Sequence, residues 1–409
     1  MSFRRAARAA LLCPTSSNRS VIFKPALAPV VLKSVLNFVL ILVLFLALFC
    51  ISCNNSNQSS PGPGPDHTAY VTLPSQGAVA QLSIQGSTGF ITVQATSPIT
   101  AGVTPTGLAL TPSRKFLYVV NSRANTVSTF NVASDGSLSL TAATTNTDSS
   151  PNSAVIDPSG QYLLVTNSFS DDVSVFAIDA SSGALSEVAG SPFYANTTPT
   201  QIAITHSGEF VYVTNPSIGM VTGFSFSGGV LTQLPTSPIL SGAGAGALTV
   251  DAGDQFLYVA NPSASNAPPN QSTNGNISGF AINSSSGELT LIAGSPFTSA
   301  EGPNGPTAII VDPSGRFVYA VSEGTSSSIW CFTITSNTGQ LTAVANSPFS
   351  LAAGGLFALV DPIGNYFYMG SQTGKGIDGY TYNSSTGALT LLSGSPFLVG
   401  APGRMVLSE

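Results

Sequence analysis

The sequence is poor in the residues that carry most protein chemistry. Only 7% of its 409 residues are charged, and it holds two histidines, one tryptophan and four cysteines. An ordinary soluble chain carries roughly 25% charge. Twelve Lys and Arg cannot build the basic face that neutralises phosphates, so nucleic acid is excluded as a partner. The lack of Glu and Lys also excludes a long helical bundle or coiled coil. Disorder is excluded by the 43% of apolar residues, enough to bury a core. What is plentiful is glycine (40) and proline (28), the residues of turns.

Charge is unevenly placed. The first 53 residues hold six basic side chains (Arg4, Arg5, Arg8, Arg19, Lys24, Lys33) and no acid; the remaining six Lys and Arg face all 18 acids, a balance of −12. From Phe38 to Ile51 the chain is apolar without interruption. That length fits the core of a signal peptide and is short of the ~20 residues of a membrane span. The run ends in Cys50-Ile51-Ser52-Cys53, which resembles a bacterial lipobox with Cys53 as the lipidated residue, although Cys50 stands where leucine is preferred. An ordinary signal peptide or an uncleaved anchor is the alternative. Residues 1–53 are therefore expected to be an export leader. Residues 54–66, opening NNSNQSSPGPGP, are expected to be a flexible tether. In the mature chain Cys331 would be the only other cysteine, with no intramolecular disulfide, and beside Trp330 it reads as a small core residue.

The rest is repetitive. A Phe-x-Tyr-Val-x-Asn unit, weaker at 70, 319 and 368, centres on positions 70, 118, 164, 212, 258, 319 and 368, spaced 46 to 49 apart except for one interval of 61. Twelve or thirteen residues later comes Leu82, Phe130, Phe176, Phe224, Phe332 or Tyr380, while Phe280 follows after an insertion of ten. A Gly-x-Leu step follows (Gly183, Gly287, Gly339, Gly387), then Ser-Pro-Phe or Ser-Pro-Ile at Ser97, Ser191, Ser237, Ser295, Ser347 and Ser395; the second copy lacks it. Each unit closes on a strand and a tight turn such as Asp157-Pro-Ser-Gly160 or Asp312-Pro-Ser-Gly315; in the fourth unit His206 stands in for the turn aspartate. Four short strands in about 48 residues describe a β-propeller blade. The first copy lacks the strand that precedes it elsewhere, and Pro402 to Leu407 at the C-terminus matches that strand. The expected fold is all-β: residues 67–409 form a seven-bladed propeller of four-stranded antiparallel blades, its ring closed by the C-terminal strand completing the first blade.

The Tyr-Val-x-Asn strand, the Asp-Pro-Ser-Gly turn and the Gly-x-Leu step together resemble the lactonase-type, YVTN-repeat propellers, which include 6-phosphogluconolactonase-like proteins. The resemblance covers roughly residues 67 to 408. It implies the fold strongly and an activity only weakly, since fold does not fix function. If it extends to chemistry, the activity is hydrolysis of a lactone, and the family implies a histidine, a glutamate and an arginine brought together. No such matched constellation is found here.

Ligands of propellers gather where the loops between second and third strands meet the loops entering the innermost strands. Asn121, Asn167, Asn215 and Asn261 start the former loops, either to bind a ligand or to cap their own turns. Candidate carboxylates on this face are Glu301, Glu323, Asp378 and the pair Asp171-Asp172, which is either a cation site or a solvated turn. Arg123, Lys375 and Arg404 can serve as anion clamps, whereas Arg114, Lys115 and Arg316 belong to the other end. Arg404 is singled out because it enters the closing strand where other blades carry Gly107, Ser153, Gln201, Ala247 and Ala308. His67 and His206 are expected at the opposite end as structural or surface residues. The insertion Pro262 to Asn276 reads as a disordered loop or a flap. The leading expectation is a lipid-anchored binding or interaction module of the cell envelope, a monomer. It would take a small molecule, glycan or protein on its loop-rich face, without metal or cofactor, and touch the membrane through the anchor alone. The alternative is a lactone hydrolase with Glu323, Glu301 or Arg404 at its site.

Overall fold

The computed structural model describes residues 66–262, 275–298, 305–322, 328–345, 347–350, 354–363, 365–371 and 375–408. The chain divides into two units, Met1–Ser60 and Pro61–Glu409, and every described residue lies in the second. The leader, Cys53, Glu301, Glu323 and nearly all of the 262–276 insertion lie outside the described residues.

Seven antiparallel sheets follow one another around a ring. Blade 2 shows the pattern: innermost strand Pro105–Leu110, second Phe116–Asn121, third Thr126–Val132 and outermost Leu138–Asn146. Blade 1 is assembled from both ends of the propeller. Met405–Ser408 pairs with His67–Leu73, bringing Val406 opposite Tyr70 and Leu407 opposite Ala69. This closure leaves the ring without an unpaired end strand.

Five of the seven second strands, such as Phe116–Asn121 and Phe256–Asn261, are buried along their whole length. That explains why their sequences are continuously apolar rather than alternating. Among the described residues the core is seven clusters, each shared by two neighbouring blades rather than lying inside one. The low charge follows directly. Both faces of each blade are sealed against a neighbour, and a fully buried Tyr or Phe contributes roughly 2–3 kcal/mol by leaving water.

Two repeat motifs prove to be halves of one contact. The tyrosine hydroxyl of each second strand donates to the carbonyl of the turn glycine in the next blade. The pairs are Tyr70 to Gly136, Tyr118 to Gly183, Tyr212 to Gly287, Tyr258 to Gly339 and Tyr319 to Gly387, at 2.7–3.0 Å. Tyr368 to Gly89 (3.0 Å) carries the series across the closure, from blade 7 to blade 1. Blade 3 has Leu164 in this place and makes no such bond. The turn must be glycine for two reasons. At Gly89 φ is +69°, and a Cβ would stand 2.5 Å from the Tyr366 ring.

The Ser-Pro motif has an equally local cause. In all six copies of the motif the Ser-Pro peptide is cis, and each serine hydroxyl accepts a backbone N–H of the third strand, from Gln81, Val175, Gly223, Gly279, Cys331 and Gly379. The segment thus crosses back from the outermost strand to the third. Blade 2 lacks the motif, and its outermost strand runs nine residues with a bulge opposite Ser128 to Phe130.

The inner turns correct one reading of the sequence. In blades 3, 5 and 6 the carboxylates of Asp157, Asp251 and Asp312 accept two successive turn N–H groups each. In blade 4 that acceptor is the Thr205 hydroxyl, bonded by Phe210 N–H at 3.1 Å. His206 therefore occupies the proline position of the turn, not that of the aspartate. It is exposed and pairs with Asp254 at 3.0 Å. His67 is buried at the same end of the ring, 3.2 Å from Asp361.

Candidate functional site at the channel mouth

The innermost strands touch in ring order and surround the central channel. Their pairings place residues at common levels. Arg404 stands opposite Thr72, as Gly107 stands opposite Val120, Ala308 opposite Val321 and Phe357 opposite Gly370. Six of the seven positions at this level are thus small, polar or aromatic, and the seventh is a guanidinium. Thr72 fixes the backbone there: its hydroxyl accepts Arg404 N–H at 2.8 Å and its N–H donates to Arg404 O at 2.9 Å.

Arg404 keeps part of its surface accessible, yet protein surrounds it deeply enough to strip its hydration. Both conditions hold for a side chain at the mouth of a narrow channel. Burial lowers its pKa from the usual value, and no carboxylate among the described residues offsets the loss. An arginine stays protonated regardless. Among the described residues its guanidinium has no hydrogen-bond or ion-pair partner. A dehydrated, uncompensated cation is costly to keep, and an anion would relieve it.

Arg123 and Lys375 lie on the same end of the ring, on the loops of blades 2 and 7, and flank Arg404 of blade 1. Both are exposed. A small polar group sits on the innermost strands of blades 3 and 4: Gln201 lies 3.4 Å from both Ser153 and Asn152.

The four asparagines lie elsewhere. All are at most 1% exposed. Asn121 donates to Thr126 and Ser128, Asn167 to Asp172 and Ser174, and Asn261 to Asn276 and Ser278. Asn215 donates to the carbonyls of Ala195 and Thr197. They tie second strand to third strand and to the incoming linker, and present nothing to the channel.

Two carboxyls on this end are unusual. Asp172 is 8% exposed, and burial pushes its pKa up to about 6, with the Asn167 amide opposing and Asp148 and Asp171 adding to the rise. Asp378 occupies the position that is Ser128, Ser174, Thr222 and Ser278 in other blades, and burial raises it too. The sequence carried a signal for Asp378 in that broken serine/threonine register. Asp171, the other half of the sequence pair, holds its loop by accepting Thr198 N–H at 2.7 Å. No group of three or more His, Cys, Asp or Glu able to hold a metal occurs among the described residues.

Residues 59–198 and 271–407 match the model of the family described as "Lactonase, 7-bladed beta-propeller". The chain belongs to that lactonase family. Solved structures share the fold of the family at low identity. A Bacteroides uniformis protein assigned as a 6-phosphogluconolactonase is 17% identical, with a TM-score of 0.71 over 84% of this chain and 99% of its own. The periplasmic gluconolactonase of Pseudomonas aeruginosa is 17% identical, with a TM-score of 0.68 over 84% and 99%. A chain of Kuenenia stuttgartiensis hydrazine synthase is 14% identical, with a TM-score of 0.55 over 84% and 99%, and shares the ring alone. A search of curated proteins finds no match.

Proposed function

We propose that this lactonase-like propeller is exported, anchored through Cys53, and binds a small anion at the mouth of its channel as a binding module of the cell envelope. The observation that carries the reading is Arg404, a charged, dehydrated guanidinium with no partner among the described residues. Arg123 and Lys375 add positive potential on the same side, which raises the rate of anion capture more than its strength. The basic leader and its apolar run support export.

A second reading, hydrolysis of a lactone, is favoured by one specific feature. Asp172 has a pKa near 6, within the range in which a carboxylate works as a general base near neutrality. The relatives described as lactonases are consistent with it. One experiment separates the two. The full chain is titrated calorimetrically with gluconate and assayed by pH-stat with gluconolactone. The binding reading expects saturable uptake of gluconate, lost in Arg404→Gln, and no turnover above the uncatalysed rate. Turnover abolished by Asp172→Asn would replace it with the hydrolase.

A further inference from the structure

The innermost strands form bands along the channel axis. At the loop-rich end lie Thr106, Asn152, Ser153, Gln201, Thr307 and Arg404, polar and partly exposed. The next three levels are apolar in nearly every blade, Thr249 excepted. They include Leu108, Leu248, Ile310, Leu359, Ile156 and Ile204, each packed at the edge of an inter-blade cluster while retaining exposed surface. An innermost strand has its own blade on one side and neighbouring blades against both faces. The solvent left to these side chains is therefore that of the axis. Beyond them lie the inner turns, held by Asp157, Asp251, Asp312 and Asp361, all at most 7% exposed.

A polar sugar acid would gain nothing from three apolar levels. We infer that the channel takes an anion carrying an unbranched apolar chain, its head on Arg404 and its chain along the shaft. This rests on the anion-binding reading of Arg404 and adds the class of ligand. The orientation follows from Arg404, the one cation beside the innermost strands among the described residues. Three levels at about 3.3 Å each give roughly 10 Å of shaft, the length of about eight extended carbons.

The test is a titration of the full chain with linear carboxylates from acetate to dodecanoate, followed by calorimetry. Affinity is expected to rise roughly threefold to fourfold per added CH₂ up to about eight carbons and then level off where the apolar levels end. Arg404→Gln should remove binding of the whole series. If acetate and octanoate bind equally well, and both need Arg404, the chain does not enter the shaft: this inference falls and anion binding stands. If no carboxylate binds, both fall. A length dependence that persists in Arg404→Gln would locate the chain elsewhere and overturn the inference as well.

Discussion

The hydrogen bond from Tyr368 to Gly89 is the sole tyrosine–glycine bond that crosses the closure between blade 7 and blade 1 among the described residues, and removing it is a clean perturbation. Tyr368→Phe deletes one oxygen from a side chain that is fully buried. Burial already pushes the phenol's pKa far above its ordinary value, so the group lost is a neutral donor. An average hydrogen bond contributes about 1 kcal/mol net, but the buried Gly89 carbonyl would be left unsatisfied, which costs about 1–3 kcal/mol. The expected loss is therefore about 1–3 kcal/mol. Gly89→Ala attacks the same contact sterically, with φ at +69° and a Cβ 2.5 Å from the Tyr366 ring. Strain and overpacking should make it the worse of the two, at about 2–4 kcal/mol. The assay is urea unfolding followed by the fluorescence of Trp330, the single tryptophan, which is 1% exposed. A Tyr368→Phe loss below about 0.5 kcal/mol, within the scatter of a neutral surface change, would refute the claim that these bonds hold the blades together.

Other expectations follow from the same contacts. Ser295→Ala should cost about 1–2 kcal/mol by stranding the Gly279 N–H, whereas a serine in the exposed turn at Ser285 should tolerate alanine, as urea melts would show. Asp172 makes stability depend on pH. Its folded pKa of about 6 lies above its ordinary value of 3.8, so the folded state binds the proton more tightly than the unfolded state. Stability from this group is full below pH 4 and falls as pH rises through 6, by at most about 3 kcal/mol. Asp172→Asn should flatten that slope between pH 4 and 7; an unchanged slope would assign it to other groups.

The fold was legible because a propeller repeats its chemistry. Seven strong or weak copies of one Tyr-Val-x-Asn pattern define the second strand, and a strand missing at one end reappears at the other as Met405–Ser408. Partnerships between repeats were not legible. Nothing local tells that Tyr258 reaches Gly339, 81 residues on, in the next blade. The turn of blade 4 misled for a simpler reason: a threonine hydroxyl performs the aspartate's task at Thr205, leaving His206 free to stand in the proline's place. The site was legible only in part. Arg404 was visible as a charge among small residues at one level of the ring, but its lack of a partner among the described residues depends on where their side chains lie. The asparagines repeated too faithfully to mark a single site, and the reason is their shared role of joining second and third strands.

The most direct test of the account is anomalous scattering from a crystal of the full chain soaked in selenate. The account predicts selenium within hydrogen-bond reach of the Arg404 guanidinium, at the mouth of the channel, and its loss in Arg404→Gln. Selenium confined to the exposed Arg114, Lys115 and Arg316 at the opposite end, with none at Arg404, would contradict it.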